Sequence, residues 1–178
     1  MNTIDAIKTR RSIRRFKETA VPHSLLEQIV SAASFAPSWK NSQVTRYIAI
    51  EDCNLKKAIA DTCCSEHNAC IIKPAPLLVA TTLITGRSGY ERDGSFSTIR
   101  GDAWQAFDCG IACQTFCLAA KELGLDTVIL GLYDFEKASA LIQIPDGQQL
   151  MALIAVGYGN ETPDAPMRKP VETLLTYR

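Results

Sequence analysis

The chain has 178 residues, 47% hydrophobic and 21% charged, with 19 basic side chains balancing 19 acidic ones. That length fits one domain over residues 1–178, able to bury about 70% of its unfolded surface, and the neutral charge argues against a dedicated nucleic-acid binder. No apolar run approaches the ~20 residues of a membrane span and no secretory signal opens the chain; the seven cysteines, an odd number without a Cys-x-x-Cys pair, read as reduced thiols of a cytoplasmic protein.

Thr3 to Thr9 is predicted as a short amphipathic helix that delivers a basic cluster, Arg10-Arg11-Ser12-Ile13-Arg14-Arg15-Phe16, at its C-terminal end. Four guanidinium groups so close together suit a phosphate, because each presents a planar fork that binds oxygens bidentately. Ser24 is expected to cap a second helix, with Glu27 completing a capping box and Leu25, Leu26, Ile29, Val30 and Ala33 at helical spacing, until Pro37 stops it. Val44 to Ile50 reads as a strand and Asn54 to Cys63 as a helix. Pro76 to Ile84 is apolar and β-branched on both faces, as in a buried central strand. Gly86 to Gly101 is a polar, glycine-rich stretch expected to be a mobile excursion.

Trp104 to Leu123 is the longest helical candidate, closed by Gly124. It is apolar nearly all round, so burial within one small domain is harder than burial against a second copy, and a homodimer is expected. Thr127 to Leu132 and Leu150 to Val156 are further strands. From Gly157 onward the chain reads as extended, proline-punctuated and basic. Strands separated by helices indicate an α+β or α/β domain, and periodicity alone does not set the strand order.

Other chemistries find little support. Cys109, Cys113 and Cys117 recur every four residues on one helix face and read as small buried hydrophobes. Cys63, Cys64, His67 and Cys70 match no common zinc-binding spacing, so no metal is expected. There is no Gly-x-Ser-x-Gly elbow, and Gly157-Tyr158-Gly159 lacks the third glycine and the following helix of a dinucleotide loop. What remains are three polar segments: the arginine cluster, Pro37-Ser38-Trp39-Lys40-Asn41-Ser42-Gln43, and Pro166-Met167-Arg168-Lys169-Pro170. Their arginines suit a phosphate, and the Ser38 hydroxyl with the Asn41 and Gln43 amides suits the polar edge of a heteroaromatic ring.

In this order and spacing, Arg-Arg-Ser-Ile-Arg-x-Phe, Ala36-Pro37-Ser38-x-x-Asn41-Ser42-Gln43, Leu118-Ala119-Ala120-x-x-Leu123-Gly124-Leu125, Gly131, Gly157-Tyr158-Gly159 and Arg168-Lys169-Pro170 resemble the FMN-dependent nitroreductase family across essentially the whole chain. The resemblance implies an α+β fold with a mostly antiparallel sheet flanked by helices. It also implies a homodimer with FMN at the interface and a C-terminal segment that reaches across to the partner. Arg10, Ser12 and Arg14 match the family's phosphate and ring contacts, with Arg11 between them. Pro37, Ser38 and Asn41 match a flavin-contacting segment supplied by the other subunit, and Gln43 belongs to the same motif. Asn68 stands in for a ring-contacting amide. Gly131 matches the position beside the backbone N–H that faces flavin N5, and Arg168 with Lys169 matches the C-terminal phosphate contact. Three departures bear on substrate choice: Trp39-Lys40 replaces smaller residues, Val44-Thr45 stands where Pro-Trp is common, and Leu130 stands where some members carry an acidic residue.

The implied activity is transfer of reducing equivalents from NADH or NADPH through FMN to a small-molecule acceptor, a nitroaromatic, a quinone or a related compound, with no side chain named as catalytic. Dehalogenation or flavin fragmentation on the same scaffold is an alternative reaction. Flavin binding with redox sensing by the Cys63–Cys70 segment is the non-enzymatic alternative.

Overall fold

The computed structural model describes residues 2–178. Its elements are α1 (Thr3–Thr9), α2 (His23–Ala33), β1 (Thr45–Ile50), α3 (Cys53–Cys63), α4 (Glu66–Ile72), β2 (Leu77–Ile84), α5 (Ala103–Glu122), β3 (Asp126–Leu130), α6 (Phe135–Ile142), β4 (Gln148–Gly157) and α7 (Val171–Leu174). The strands form one antiparallel sheet in the order β1-β2-β4-β3, an α+β architecture.

Alternation along the two central strands builds two cores, one on each face of the sheet. Leu78, Ala80, Leu153 and Ala155 face α3, α4 and α6, packing with Ile59, Ile72 and Ile142. Leu77, Val79, Ile154 and Val156 face α2 and α5, packing with Ile29, Cys113 and Phe116. Between Thr81 and Thr82 the register shifts because β4 carries an extra residue, Met151, and both threonine hydroxyls are satisfied there, by Ala152 O at 3.0 Å and Gln148 Oε1 at 2.5 Å. Lys56 is buried and donates to Ala75 O at 2.7 Å and Pro76 O at 3.1 Å, which pins the chain as it enters β2.

Several boundaries depart from the sequence reading. Helix α2 starts at His23 after Pro22, whose φ of −61° already suits a turn, so Ser24 lies inside the helix and makes no cap. Asp52 caps α3 by accepting from Leu55 N at 2.7 Å. Helices α4, α6 and α7 were not expected; Asp134 caps α6, and Gln143 ends it at φ 58° where a glycine would be the usual signal. Strand β3 stops at Leu130, so Gly131 and Leu132 leave the sheet.

Helix α5 ends as expected. Gly124 sits at φ +78°, its N–H bonds to Lys121 O at 3.2 Å, and Leu125 N bonds to Ala120 O at 2.8 Å, the paired bonds of a Schellman cap. The helix is buried on one side only, through Gln105, Asp108, Cys109, Ala112, Cys113, Phe116, Cys117 and Ala120. Phe107, at 59% exposure, Gly110 and Gln114 lie open on the other. The Gly86–Gly101 stretch is a set of turns tied by Ser97 N to Gly89 O at 2.8 Å and by the Tyr90–Phe96 ring contact. Gly89 is held at φ +85°, and a Cβ there would collide with the Gly101 carbonyl.

Candidate functional site

The arginine cluster runs beside β3. Ile13 and Phe16 are buried, Ile13 N donates to Thr127 O at 3.1 Å, and Lys17 N to Tyr158 O at 2.8 Å. With the backbone and two apolar side chains fixed in this way, the guanidinium groups are left outside the core. Arg11 Nη1 donates to Lys8 O and Arg10 O, and Arg14 Nη1 to Ser12 O, at 2.7, 2.9 and 3.2 Å. Among the described residues no carboxylate pairs with the guanidinium of Arg10, Arg11 or Arg14; Glu161 Oε1 accepts from the Arg14 backbone N at 2.5 Å, and the Glu161 carboxylate faces the Arg15 guanidinium at 4.0 Å. Arg10 and Ser12 share a cavity of about 130 Å³ with Thr127, Val128 and Ile129, the strand positions just before Gly131.

At the end of β3, Leu130 turns its side chain into the core, so it can reach a ligand only through its backbone. Gly131 is exposed. A Cβ built there meets nothing within 4 Å and its φ is not in the left-handed region, so nothing among the described residues requires glycine at that position. By contrast, a Cβ at Gly157 or Gly159 would press on Pro76 at 2.6 Å or the Asp126 carboxylate at 2.5 Å. A bare backbone with open space is the surface that a flat ring needs for close approach. Asn68 is buried and its amide nitrogen donates to Leu132 O at 2.8 Å, which fixes this turn and leaves Oδ1 as an acceptor. Burial pushes the neighbouring Tyr133 phenol up, and its Oη has no partner among the described residues.

The second segment lies at the other edge of the sheet, before β1. Three spacings of ~4.8 Å, about 14 Å, separate β1 from β3. Lys40, Asn41 and Gln43 have φ of 45°, 53° and 46°, three left-handed residues without a glycine. Such residues cost on the order of 1–3 kcal/mol each and persist where the surroundings hold them. Here the holders are Ser38 Oγ, accepting from Gln43 N at 2.9 Å, and Arg46 Nη1, donating to Gln43 O at 2.7 Å. Asp108 Oδ2 accepts from Trp39 N at 2.9 Å. Gln43 Nε2 donates to Asn41 Oδ1 at 3.1 Å, so the Asn41 N–H pair and the Ser38 O–H remain available as donors. Trp39 packs against Trp104 with ring centroids 4.8 Å apart, and its Nε1 is buried without a partner among the described residues. Between this segment, α2 and β1 lies an open groove of about 620 Å³ lined by Leu26, Val30, Tyr47 and Ala112.

The third segment is apart from both. From Asp164 onward every residue is exposed, and among the described residues Arg168 Nη1 donates to Pro166 O at 3.2 Å and Met167 O at 3.5 Å. The chain therefore brings together Arg10, Arg11, Ser12 and Arg14 along β3, with Leu130, Gly131 and Asn68 gathered at the end of that strand. It holds Pro37, Ser38, Trp39, Asn41 and Gln43 at the opposite edge and leaves Arg168 and Lys169 outside. The donor set fits a phosphate carried on a flat ring. Asp108, Ser88 and Glu91 escaped the sequence reading; an acidic residue inside the apolar run of α5 was the available signal.

The Cys63–Cys70 stretch does not form a cluster: Cys63 is buried, while His67 and Cys70 are exposed. Among the described residues no three of His, Cys, Asp and Glu converge on one point. No helix among them is long and apolar enough to cross a membrane.

Known proteins share this sequence pattern and fold. A protein of Methanothermobacter thermautotrophicus, whose name pairs NADH dehydrogenase with NAD(P)H nitroreductase, is 30% identical over 167 residues, covering 92% of this chain and 80% of its own. Among solved structures, a nitroreductase family protein from Streptococcus pneumoniae superposes with a TM-score of 0.87 at 19% identity, covering 99% of this chain and 100% of that one. The NADPH:FMN oxidoreductase of Vibrio harveyi, solved with NAD+, superposes at 0.83 with 20% identity, covering 99% and 77%. The nitroreductase family pattern itself matches residues 7–69 and 64–158, and the chain belongs to the nitroreductase family.

Proposed function

We propose that residues 1–178 act as one FMN-binding domain of a cytoplasmic NAD(P)H-dependent oxidoreductase, which passes reducing equivalents to a nitroaromatic, a quinone or a related acceptor in a ping-pong cycle. The observation that carries this reading is the group of guanidiniums without carboxylate partners beside β3, next to the bare backbone of Gly131. Family membership and the FMN and NAD+ named for the Vibrio harveyi neighbour support the choice of cofactor and reductant.

Bound FMN would supply the redox chemistry, accepting hydride at N5 and passing reducing equivalents on. Arg10, Arg11 and Arg14 would grip its phosphate, each offering a planar fork of donors. Ser12 would add a hydroxyl from the same wall. Ser38 and Asn41, with Pro37, Trp39 and Gln43, would come from the partner subunit, which accounts for their place at the far edge of the sheet. Arg168 and Lys169 would complete the phosphate contacts from the exposed tail. The open side of α5 and the apolar tail residues Met167, Val171 and Leu174, 98%, 63% and 70% exposed, support burial in a homodimer. An arginine of the first cluster is the positive group available to balance charge that builds on the ring.

Steady-state kinetics test the reading. With NADH or NADPH as donor and a nitroaromatic or quinone as acceptor, the flavin-loaded protein is expected to give parallel double-reciprocal lines. No acceptor-dependent consumption of either nucleotide would favour a flavin-binding protein over an enzyme.

A further inference from the structure

Asp108 stands almost wholly buried, at 4% exposure, in the middle of α5. Its Oδ2 accepts from the Ser88 hydroxyl at 2.6 Å, from Trp39 N at 2.9 Å and from the Ser42 hydroxyl at 3.4 Å. Among the described residues no basic side chain pairs with it. A carboxylate held only by neutral donors is costly to bury, so its place needs a reason beyond packing. The donors come from two separate stretches. Trp39 and Ser42 bracket the left-handed residues Lys40 and Asn41, and Ser88, itself fully buried, begins the turns that follow β2. A second tie joins the same stretches, Lys40 Nζ to Glu91 Oε1 at 2.9 Å.

We infer that Asp108 is a positioning residue for the cofactor site: it clasps the Pro37–Gln43 loop to the residue 86–101 turns and so fixes the strained backbone that presents Ser38 and Asn41. This rests on the FMN reading above. Bonds to a charged acceptor are stronger than neutral ones, and three of them on one oxygen can offset a backbone that two adjacent left-handed residues would otherwise release. The clasp also makes the turns and the loop one unit, so displacing Ser88 disturbs Ser38 without touching it.

The test uses Asp108→Ala, Asp108→Asn and Ser88→Ala, each as the full chain, with two readouts: FMN dissociation constant and tryptophan emission of the apoprotein. Trp39 lies against Trp104, so a released loop shifts the emission without any flavin present. Asp108→Ala is expected to shift emission to the red and weaken FMN binding about ten- to a hundred-fold. Asp108→Asn, which keeps an acceptor oxygen but loses the charge, and Ser88→Ala, which removes one donor, are both expected to fall between Asp108→Ala and wild type. A folded Asp108→Ala with wild-type emission or FMN affinity overturns the inference, as does an Asn variant as impaired as Ala. Should Asp108→Ala not fold, Ser88→Ala decides, and unchanged readouts there overturn it. Failure of the FMN reading is seen separately, in a parent protein that binds no flavin while the emission shift persists.

Discussion

The arginines divide by what surrounds them. Arg15 has Glu161 beside it, whereas Arg11, Arg14 and Arg168 spend their donors on nearby carbonyls, an arrangement that a phosphate would displace at little cost. Charge-assisted bonds contribute about 1.5–3 kcal/mol, so Arg168→Ala is expected to raise the FMN dissociation constant about ten- to a hundred-fold, and Arg168→Lys by less. Riboflavin, which lacks the phosphate, should bind both variants and wild type alike; a titration in which Arg168→Ala holds FMN as tightly as wild type refutes the tail assignment. A second residue-level effect depends on pH. The hydrogen bond and charge of Glu51 hold the exposed His23 above its ordinary pKa of 6.5. A raised folded-state value means that the pair's stabilisation is complete below the unfolded pKa and is lost as pH rises through the folded one. The difference in melting temperature between wild type and His23→Gln should therefore be larger near about pH 5.5 than near about pH 8.5, and equal differences would contradict the pairing.

Among the elements, those with strong internal signals were legible in the sequence. Strand β2 shows itself by being apolar on both faces, and α5 by its length and by Gly124 in the left-handed cap. Helix α6 was not legible because Gln143 takes the left-handed position without announcing it, and α4, Glu66–Ile72, is only about two turns long. The candidate site was legible as three segments, because arginines and amides are conspicuous against an apolar background. Their anchor was not: Asp108 collects donors 20, 66 and 69 positions away, and only the fold brings those together. Packing of α5 on the sheet is concentrated at Phe116, fully buried and stacked on Tyr47 with centroids 5.3 Å apart. Phe116→Ala is expected to cost about 3–5 kcal/mol in denaturant unfolding, since the cavity it leaves lies between helix and strand. A loss below about 1 kcal/mol would mean that the core relaxes around the gap.

At the scale of the whole molecule, the proposed FMN site calls for a second copy of the chain. The arginine cluster and the Pro37–Gln43 segment stand at opposite edges of the sheet, the tail from Asp164 is exposed among the described residues, and one side of the longest helix is open. A second copy would supply all three. Removing residues 164–178 is expected to leave the far-UV circular dichroism nearly unchanged while light scattering shows loss of the dimer; a truncated chain that remains dimeric would assign association to α5 alone. On the proposed function, this family member carries FMN and reduces acceptors with it. The most direct test of that reading is anaerobic titration of the purified protein with NADH or NADPH, followed by visible absorbance. The expected result is a yellow protein whose pigment, released by acid, is FMN at one per subunit, which bleaches on reduction and regains its colour when a quinone or nitroaromatic is added. A protein that binds no FMN on reconstitution, or whose bound FMN neither nucleotide can bleach, would contradict it.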